Sequence, residues 1–317
     1  MGKYIVTGAA GFIGSHLVEA LLAQGKTVIG IDEFNDYYNP QLKRSNIASA
    51  LENSQFQLIE ENILNLDWDH LLTDTEVVFH QAAQAGVRAS WGQTFHFYTE
   101  RNLNATQVML EAAKEATTLT RFVYASSSSV YGNAECLPTP ESTCPEPVSP
   151  YGITKLAAEL LCWQYHQCFG VPATALRYFT VYGPRQRPDM AFHKFLKAIT
   201  KDEAISIYGD GLQTRDFTFI SDAIAANLAA AEAPEAIGKP FNIGGGSRVS
   251  LSDVIDKMEA ITGKTITRNY FSKATGDARD TSADISQAQK LLGYSPKVDL
   301  ATGLSQEWEW MQKLMAI

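Results

Sequence analysis

Cysteine is scarce in this chain of 317 residues, with only four: Cys136, Cys144, Cys162 and Cys168. None forms a Cys-x-x-Cys pair, and they fall in a loop and on one helix-like stretch. That spacing argues against a disulfide framework and a cysteine-based metal site, so no metal is expected and the thiols read as free and cytosolic. Long apolar runs are missing too. No stretch approaches the ~20 residues of a membrane span, and no apolar signal region precedes the first strand, so no membrane partner and a cytoplasmic location are expected. Positive charge is in deficit: 26 Lys and Arg face 35 Asp and Glu, giving a net charge of −9. Such a balance argues against nucleic acid held on a broad basic face, while leaving room for a local arginine pocket around a phosphorylated small molecule. Low-complexity linkers and internal repeats are absent.

What remains is an ordinary globular composition, 45% hydrophobic and 19% charged, on a length that suits about two domains. Short apolar runs at 4–7, 28–32, 56–60, 77–80, 121–126 and 173–177 read as strands. Helix-like stretches at 13–24, 100–115 and 150–169 lie between them, and such alternation predicts a parallel, doubly wound α/β sheet. After residue 180 the pattern loosens into loops with helices expected near 192–200, 252–262, 285–291 and 301–315. A strand at 241–243 is placed to return to the first sheet.

The first strand runs into Gly8-Ala-Ala-Gly11-Phe12-Ile13-Gly14, which opens a helix. Glycines there permit a tight turn, close backbone approach to a pyrophosphate, and close packing of helix on strand. Asp32 ends the second strand. A carboxylate in that place accepts hydrogen bonds from adenosine ribose hydroxyls and repels a 2′-phosphate, which favours NAD over NADP. A strand-end Asp in an ordinary turn is the plainer alternative.

Tyr151 and Lys155 stand one helical turn apart and point the same way. An ammonium beside a phenol favours the phenolate, so a Tyr with a reference pKa of ~10 becomes a usable base near neutrality. Ser127, in a run of four serines, is positioned to complete a proton relay. A Tyr and a Lys so spaced occur on many amphipathic helices, and only the neighbouring motifs lift this pair above that background.

Taken in order, the glycine loop, Ala82-Ala83-Gln84, Asn102, Ser127 and Tyr151-x-x-x-Lys155 resemble the extended short-chain dehydrogenase/reductase family along nearly the whole chain. The resemblance implies a Rossmann-type sheet in an NAD-binding domain over 1–180, joined by the strand at 241–243. A smaller, interleaved nucleotide-sugar domain would occupy 181–317. It implies cofactor contacts from Gly8, Gly11, Phe12, Ile13, Gly14, Asp32, Asn62, Ile63, Ala82, Ala83, Gln84, Asn102, Tyr151, Lys155 and Tyr178. It also implies a Ser127–Tyr151–Lys155 catalytic set and a homodimer paired through the helices near 100–115 and 150–169. Glu61-Asn62-Ile63 departs from the Gly-Asp-Ile of many relatives, with the Asn62 amide oxygen expected still to reach the adenine amino group.

The motifs around Arg88, Phe179-Thr180-Val181-Tyr182-Gly183-Pro184, Arg187-Pro188-Asp189, Gln213-Thr-Arg215 and Gly276-Asp277 are similar to those of UDP-glucuronate 4-epimerases. They imply NAD-dependent epimerisation at C4 of UDP-glucuronate, giving UDP-galacturonate through a 4-keto sugar. The alternatives are a UDP-glucose/UDP-galactose 4-epimerase, in which Asn usually stands in place of Thr180, and a UDP-glucuronate decarboxylase. Decarboxylating relatives tend to carry an acid where Ser129 stands. Arg215 is expected to meet the pyrophosphate with bidentate bonds. One of Arg185 and Arg187 is expected to reach the nucleotide phosphates, Asp277 a ribose hydroxyl, and Ser128, Ser129 and Thr180 the C6 carboxylate.

Overall fold

The computed structural model describes residues 2–316. Its strands are β1 (Lys3–Thr7), β2 (Thr27–Ile31), β3 (Phe56–Ile59), β4 (Thr75–His80), β5 (Arg121–Ser127), β6 (Ala173–Tyr178) and β7 (Thr180–Tyr182). They continue with β8 (Ile205–Tyr208), β9 (Thr214–Phe219), β10 (Pro240–Ile243), β11 (Arg248–Ser250) and β12 (Arg268–Phe271). Seven of them form one sheet in the order β10-β6-β5-β4-β1-β2-β3, and every pairing within it is parallel. The doubly wound α/β architecture expected from strand–helix alternation is therefore present, with β10 returning beside β6.

β5 is buried along its whole length, as a parallel strand covered on both faces must be. One core cluster joins Leu17, Val18 and Leu21 of the helix Phe12–Ala23 to Ala223 and Ala230 of the helix Ile220–Glu232. A second joins Met109 and Leu110 of the helix Ala105–Ala113 to Ala158 and Cys162 of the helix Pro150–Phe169. The helix Ile220–Glu232 has no counterpart in the sequence reading. Alanines cover most of its faces, and Ala223, Ala226 and Ala230 are all fully buried, so no amphipathic stripe marks it.

Downstream, β7, β9 and β11 make a three-stranded sheet, and β8 pairs in parallel with β12. Two details of the fold position the site. The sheet order reverses at β1, which lies between β2 and β4, so a crevice opens at their carboxyl ends. The helix Pro150–Phe169 starts where Ser149 accepts the Gly152 N–H at 3.1 Å and Pro150 occupies the first turn. It ends at left-handed Gly170, whose N–H donates to the His166 carbonyl at 2.9 Å. Tyr151 and Lys155 are thus held in a capped first turn and the turn that follows.

Candidate active site

The crevice is floored by the glycine loop. Gly8 adopts a φ of +66°, and a Cβ on Gly14 would stand 2.0 Å from the Gly8 carbonyl oxygen, so the close approach of helix to turn requires glycine. Thr7 Oγ1, just before the loop, accepts the Ala82 N–H at 3.1 Å and meets His80 Nδ1 at 2.8 Å; His80 Nε2 meets Thr106 Oγ1 at 3.0 Å. Burial, reinforced by the nearby Lys155 charge, depresses the His80 pKa to about 3, so the imidazole is a neutral brace. The cavity above is lined by every residue expected to touch the dinucleotide except Asn102. Asn102 is buried behind that wall. Its Oδ1 accepts the Gln84 N–H at 2.7 Å, and its Nδ2 donates to the Gln84 carbonyl at 3.1 Å and Thr154 Oγ1 at 3.0 Å. It shapes the Gln84 backbone instead of facing the cavity.

At the outer end, the Asp32 carboxylate accepts from the N–H groups of Ala10 at 3.2 Å and Phe34 at 2.9 Å, and Lys43 Nζ lies 3.4 Å away. Asn62 differs from expectation. Its Oδ1 caps a short turn by accepting the Leu64 N–H at 2.9 Å, and its Nδ2 donates to Glu33 at 2.9 Å, leaving one lone pair on the amide oxygen for any adenine contact. Glu33 in turn pairs with Arg101 Nε at 3.0 Å.

Ser127, Tyr151 and Lys155 meet at the inner end. The Ser127 hydroxyl accepts the Ser129 N–H at 3.1 Å. The Lys155 ammonium, buried, is tied to the sheet, donating to the Ala125 carbonyl at 2.7 Å. Burial lowers the Lys155 pKa to about 7, with the Cys162 side chain opposing and Arg187 adding to the depression. Burial raises Tyr151 above its ordinary value, while a hydrogen bond with Ser127 and the Arg187 charge pull it down. Arg187 is thus a cation that favours the phenolate, a role the sequence did not suggest for it. Arg187 lines the dinucleotide cavity, where it forms a bidentate pair with Asp189 at 3.0 and 3.1 Å. Arg185, by contrast, is tied to Glu19 at 2.7 Å and to Ser15 at 3.3 Å on the helix Phe12–Ala23.

A second cavity adjoins the trio. Ser126 and Tyr178 line the first cavity and Ser128 and Thr180 the second, so the chain passes from one wall to the other through buried Ser127. Arg88, Ser129, Arg215 and Asp277 also line the second. The arginines are committed differently from expectation. Arg215 donates to the carbonyls of Thr214 at 2.8 Å, Arg279 at 2.9 Å and Ala278 at 2.7 Å, fixing the 278–279 loop because backbone oxygens fill its fork. Asp277 takes Arg88 at 2.7 and 3.2 Å, so its carboxylate faces a guanidinium.

Residues 4–244 match the model of the NAD dependent epimerase/dehydratase family. The chain belongs to this family. A UDP-glucuronate 4-epimerase of Thermodesulfobacterium geofontis is 38% identical, over 99% of this chain and 97% of its own length. The Bacillus subtilis protein YtcB, described as an uncharacterized UDP-glucose epimerase, is 47% identical over 98% of both chains. Among solved structures, the UDP-glucuronic acid 4-epimerase of Bacillus cereus in complex with UDP-glucuronic acid and NAD is 49% identical. It superposes with a TM-score of 0.96 over 98% of this chain and 99% of that one.

The cavity of this epimerase/dehydratase-family chain fits a dinucleotide: a cradle that a Cβ would fill, a carboxylate at the outer end, and a buried ammonium inside. Lys43, Arg101 and Arg187 each face a carboxylate, whereas Lys155, among the described residues, faces none. Sequence reasoning missed Glu33, Lys43 and Arg101, which also line the cavity. Only the adjacency of Glu33 to Asp32 hinted at any of them. Arg101 reaches the wall through a π-helical turn, Thr99–Asn104, between the helices Phe95–Tyr98 and Ala105–Ala113, which no helical period reveals.

Proposed function

We propose that this chain epimerises UDP-glucuronate at C4 to UDP-galacturonate, with Ser127, Tyr151 and Lys155 as the catalytic set. The observation that carries this reading is that Ser126 and Tyr151 line the dinucleotide cavity while the hydroxyl donors Ser128, Ser129 and Thr180 line the second, with Ser127 between them in the chain. The glycine loop, Asp32, the Ala82–Gln84 wall, Tyr178 and Lys155 would hold NAD, which would supply a reversible hydride acceptor for C4. Tyr151 removes the O4 proton, directly or through Ser127, and gives it back when the sugar has turned. Arg187 and Ser127 favour the phenolate against the cost of burial. Lys155, unpaired with any carboxylate, is free to bind a ribose hydroxyl while keeping its charge near the phenol.

A 4-keto-uronic acid is a β-keto acid and prone to lose CO2. Neutral hydroxyls at Ser128, Ser129 and Thr180 would hold the C6 carboxylate out of alignment with the carbonyl. Ser129 also leaves no carboxyl group to assist decarboxylation. Arg88, Arg215 and Asp277 are assigned to the nucleotide side of the same cavity, acting through the loop they fix as much as through direct contact. Residues 1–180 with β10 are read as the cofactor domain and the remainder of 181–317 as the substrate domain.

The chain is further read as a cytoplasmic homodimer. Ile153, Leu160 and Trp163 stand about half exposed along one side of the helix Pro150–Phe169, as a helix face awaiting a partner copy would. All four thiols are free, in keeping with a reducing compartment. No helix among the described residues is long and apolar enough to cross a membrane. The deciding experiment is NMR of purified protein with UDP-glucuronate and, separately, UDP-glucose. UDP-galacturonate as main product supports the assignment; UDP-xylose, or turnover of UDP-glucose alone, overturns it.

A further inference from the structure

The outer end of the dinucleotide cavity holds a buried ion pair whose consequence differs from that of a lone carboxylate. Asp32 and Lys43 are 7% and 6% exposed, and both line the cavity. The carboxylate is fixed from both sides, by Phe34 N–H and Lys43 on Oδ1 and by Ala10 N–H on Oδ2. Lys43 reaches in from the helix Pro40–Asn46. Its ammonium also donates to Asn35 Oδ1 at 3.2 Å and lies 5.2 Å from the centre of the Tyr38 ring. An unpaired Asp at the end of the second strand rejects a 2′-phosphate by charge. Here an ammonium within 3.4 Å offsets that charge, so rejection depends on the carboxylate keeping the ammonium engaged. The neighbouring cation, Arg44, is already spent: it bonds Glu60 at 2.7 and 3.2 Å and covers the Phe34 ring.

We propose that Lys43 is a latent 2′-phosphate site, and that the Asp32–Lys43 pair, not Asp32 alone, decides between dinucleotides with and without that phosphate. Removing the Asp32 carboxylate frees an ammonium already held at the ribose end by Asn35 and Tyr38. A 2′-phosphomonoester is then its natural counter-ion, since charge-assisted bonds to phosphate exceed those to the neutral Asn35 amide. The inference rests on the reading of this cavity as the NAD site.

The test is calorimetric titration of protein freed of bound nucleotide with NAD, NADP and 2′,5′-ADP, a readout independent of turnover. The proteins compared are the unaltered chain, Asp32→Ser, Asp32→Asn, Asp32→Ser with Lys43→Met, and Asp32→Ser with Arg44→Met, each checked for a cooperative unfolding transition. The unaltered chain is expected to prefer NAD. Asp32→Ser or Asp32→Asn should tighten NADP and 2′,5′-ADP by about tenfold or more. Lys43→Met should cancel the gain and Arg44→Met should preserve it. Equal NADP binding with and without Lys43, no gain from either Asp32 variant, or a gain lost with Arg44, overturns the role of Lys43. Failure of the unaltered chain to bind NAD would instead refute the cofactor reading beneath it.

Discussion

Lys155 gives its ammonium to the Ala125 carbonyl at 2.7 Å, two residues before Ser127 on the strand that ends in that serine. The lysine is thus anchored to the sheet, and Tyr151, one turn earlier on the helix, is positioned with it. Three of the cations lining the dinucleotide cavity are neutralised by Asp or Glu, and this one is not. A buried ammonium without a carboxylate is costly, which is a common signature of a functional position.

That cost makes stability pH-dependent. In the fold the Lys155 pKa is depressed to about 7, against ~10.4 for a free lysine. Between those values the unfolded chain binds more protons, so stability rises with pH across that window, and below about 7 the full penalty applies. Lys155→Met should raise the thermal midpoint of cofactor-free protein at pH 6, and the gain should shrink as pH climbs from about 7 towards about 10. A gain that is constant with pH would show that packing, not charge, separates the two proteins.

Tyr151→Phe keeps the ring and its edge contact with Tyr98, whose centroid is 6.3 Å away, and removes only the acidic proton. Turnover of UDP-glucuronate should fall by about 10²–10⁴ or more, the range of a lost general acid–base group. Bound NAD, measured by absorbance after denaturation, should be unchanged. Substantial residual turnover would move the base elsewhere.

Much of this site was readable before any coordinates. The glycine loop, Asp32, Ser127 and the Tyr151/Lys155 pair are local in sequence, and local spacing fixes their geometry through strand ends and helix turns. What escaped depends on contacts between distant segments. The Arg88–Asp277 pair joins residues far apart in sequence, and Arg215 spends its donors on carbonyls of a loop more than sixty residues away. Asn102 looked like a ligand because it accompanies the motif, yet it serves the Gln84 backbone. The weakly patterned Ile220–Glu232 helix was hidden because burial on several sides erases periodicity.

On the proposed reading, Ser129 separates holding a β-keto acid from breaking it. Its N–H bonds Ser127 Oγ, and its side chain faces the second cavity beside Thr180. Ser129→Glu places a carboxyl group there and should divert part of the flux to UDP-pentose and CO2, visible by NMR. Thr180→Val should weaken UDP-glucuronate more than UDP-glucose, because a lost hydroxyl matters most to a carboxylate. Equal losses for the two sugars would remove Thr180 from the carboxylate cradle.

The strand end leading to Ser127 is braced by a buried pair. Arg177 on β6 meets Glu159 of the helix Pro150–Phe169 at 2.5 and 3.0 Å, and the other Glu159 oxygen accepts the Ser126 hydroxyl at 2.5 Å. Arg177 also donates to the Tyr131 hydroxyl at 2.7 Å, which donates to Asn242 on β10 at 2.7 Å. One network therefore ties β5, β6 and β10 to the helix carrying Tyr151. Glu159→Ala strands the guanidinium and should cost about 3–5 kcal/mol in urea unfolding. Replacing both partners, Glu159→Leu with Arg177→Met, should recover much of that loss because no charge is left buried. It should not recover full turnover, since Ser126 loses its acceptor beside Ser127. A single variant as stable as the unaltered chain would mean that solvent reaches the pair.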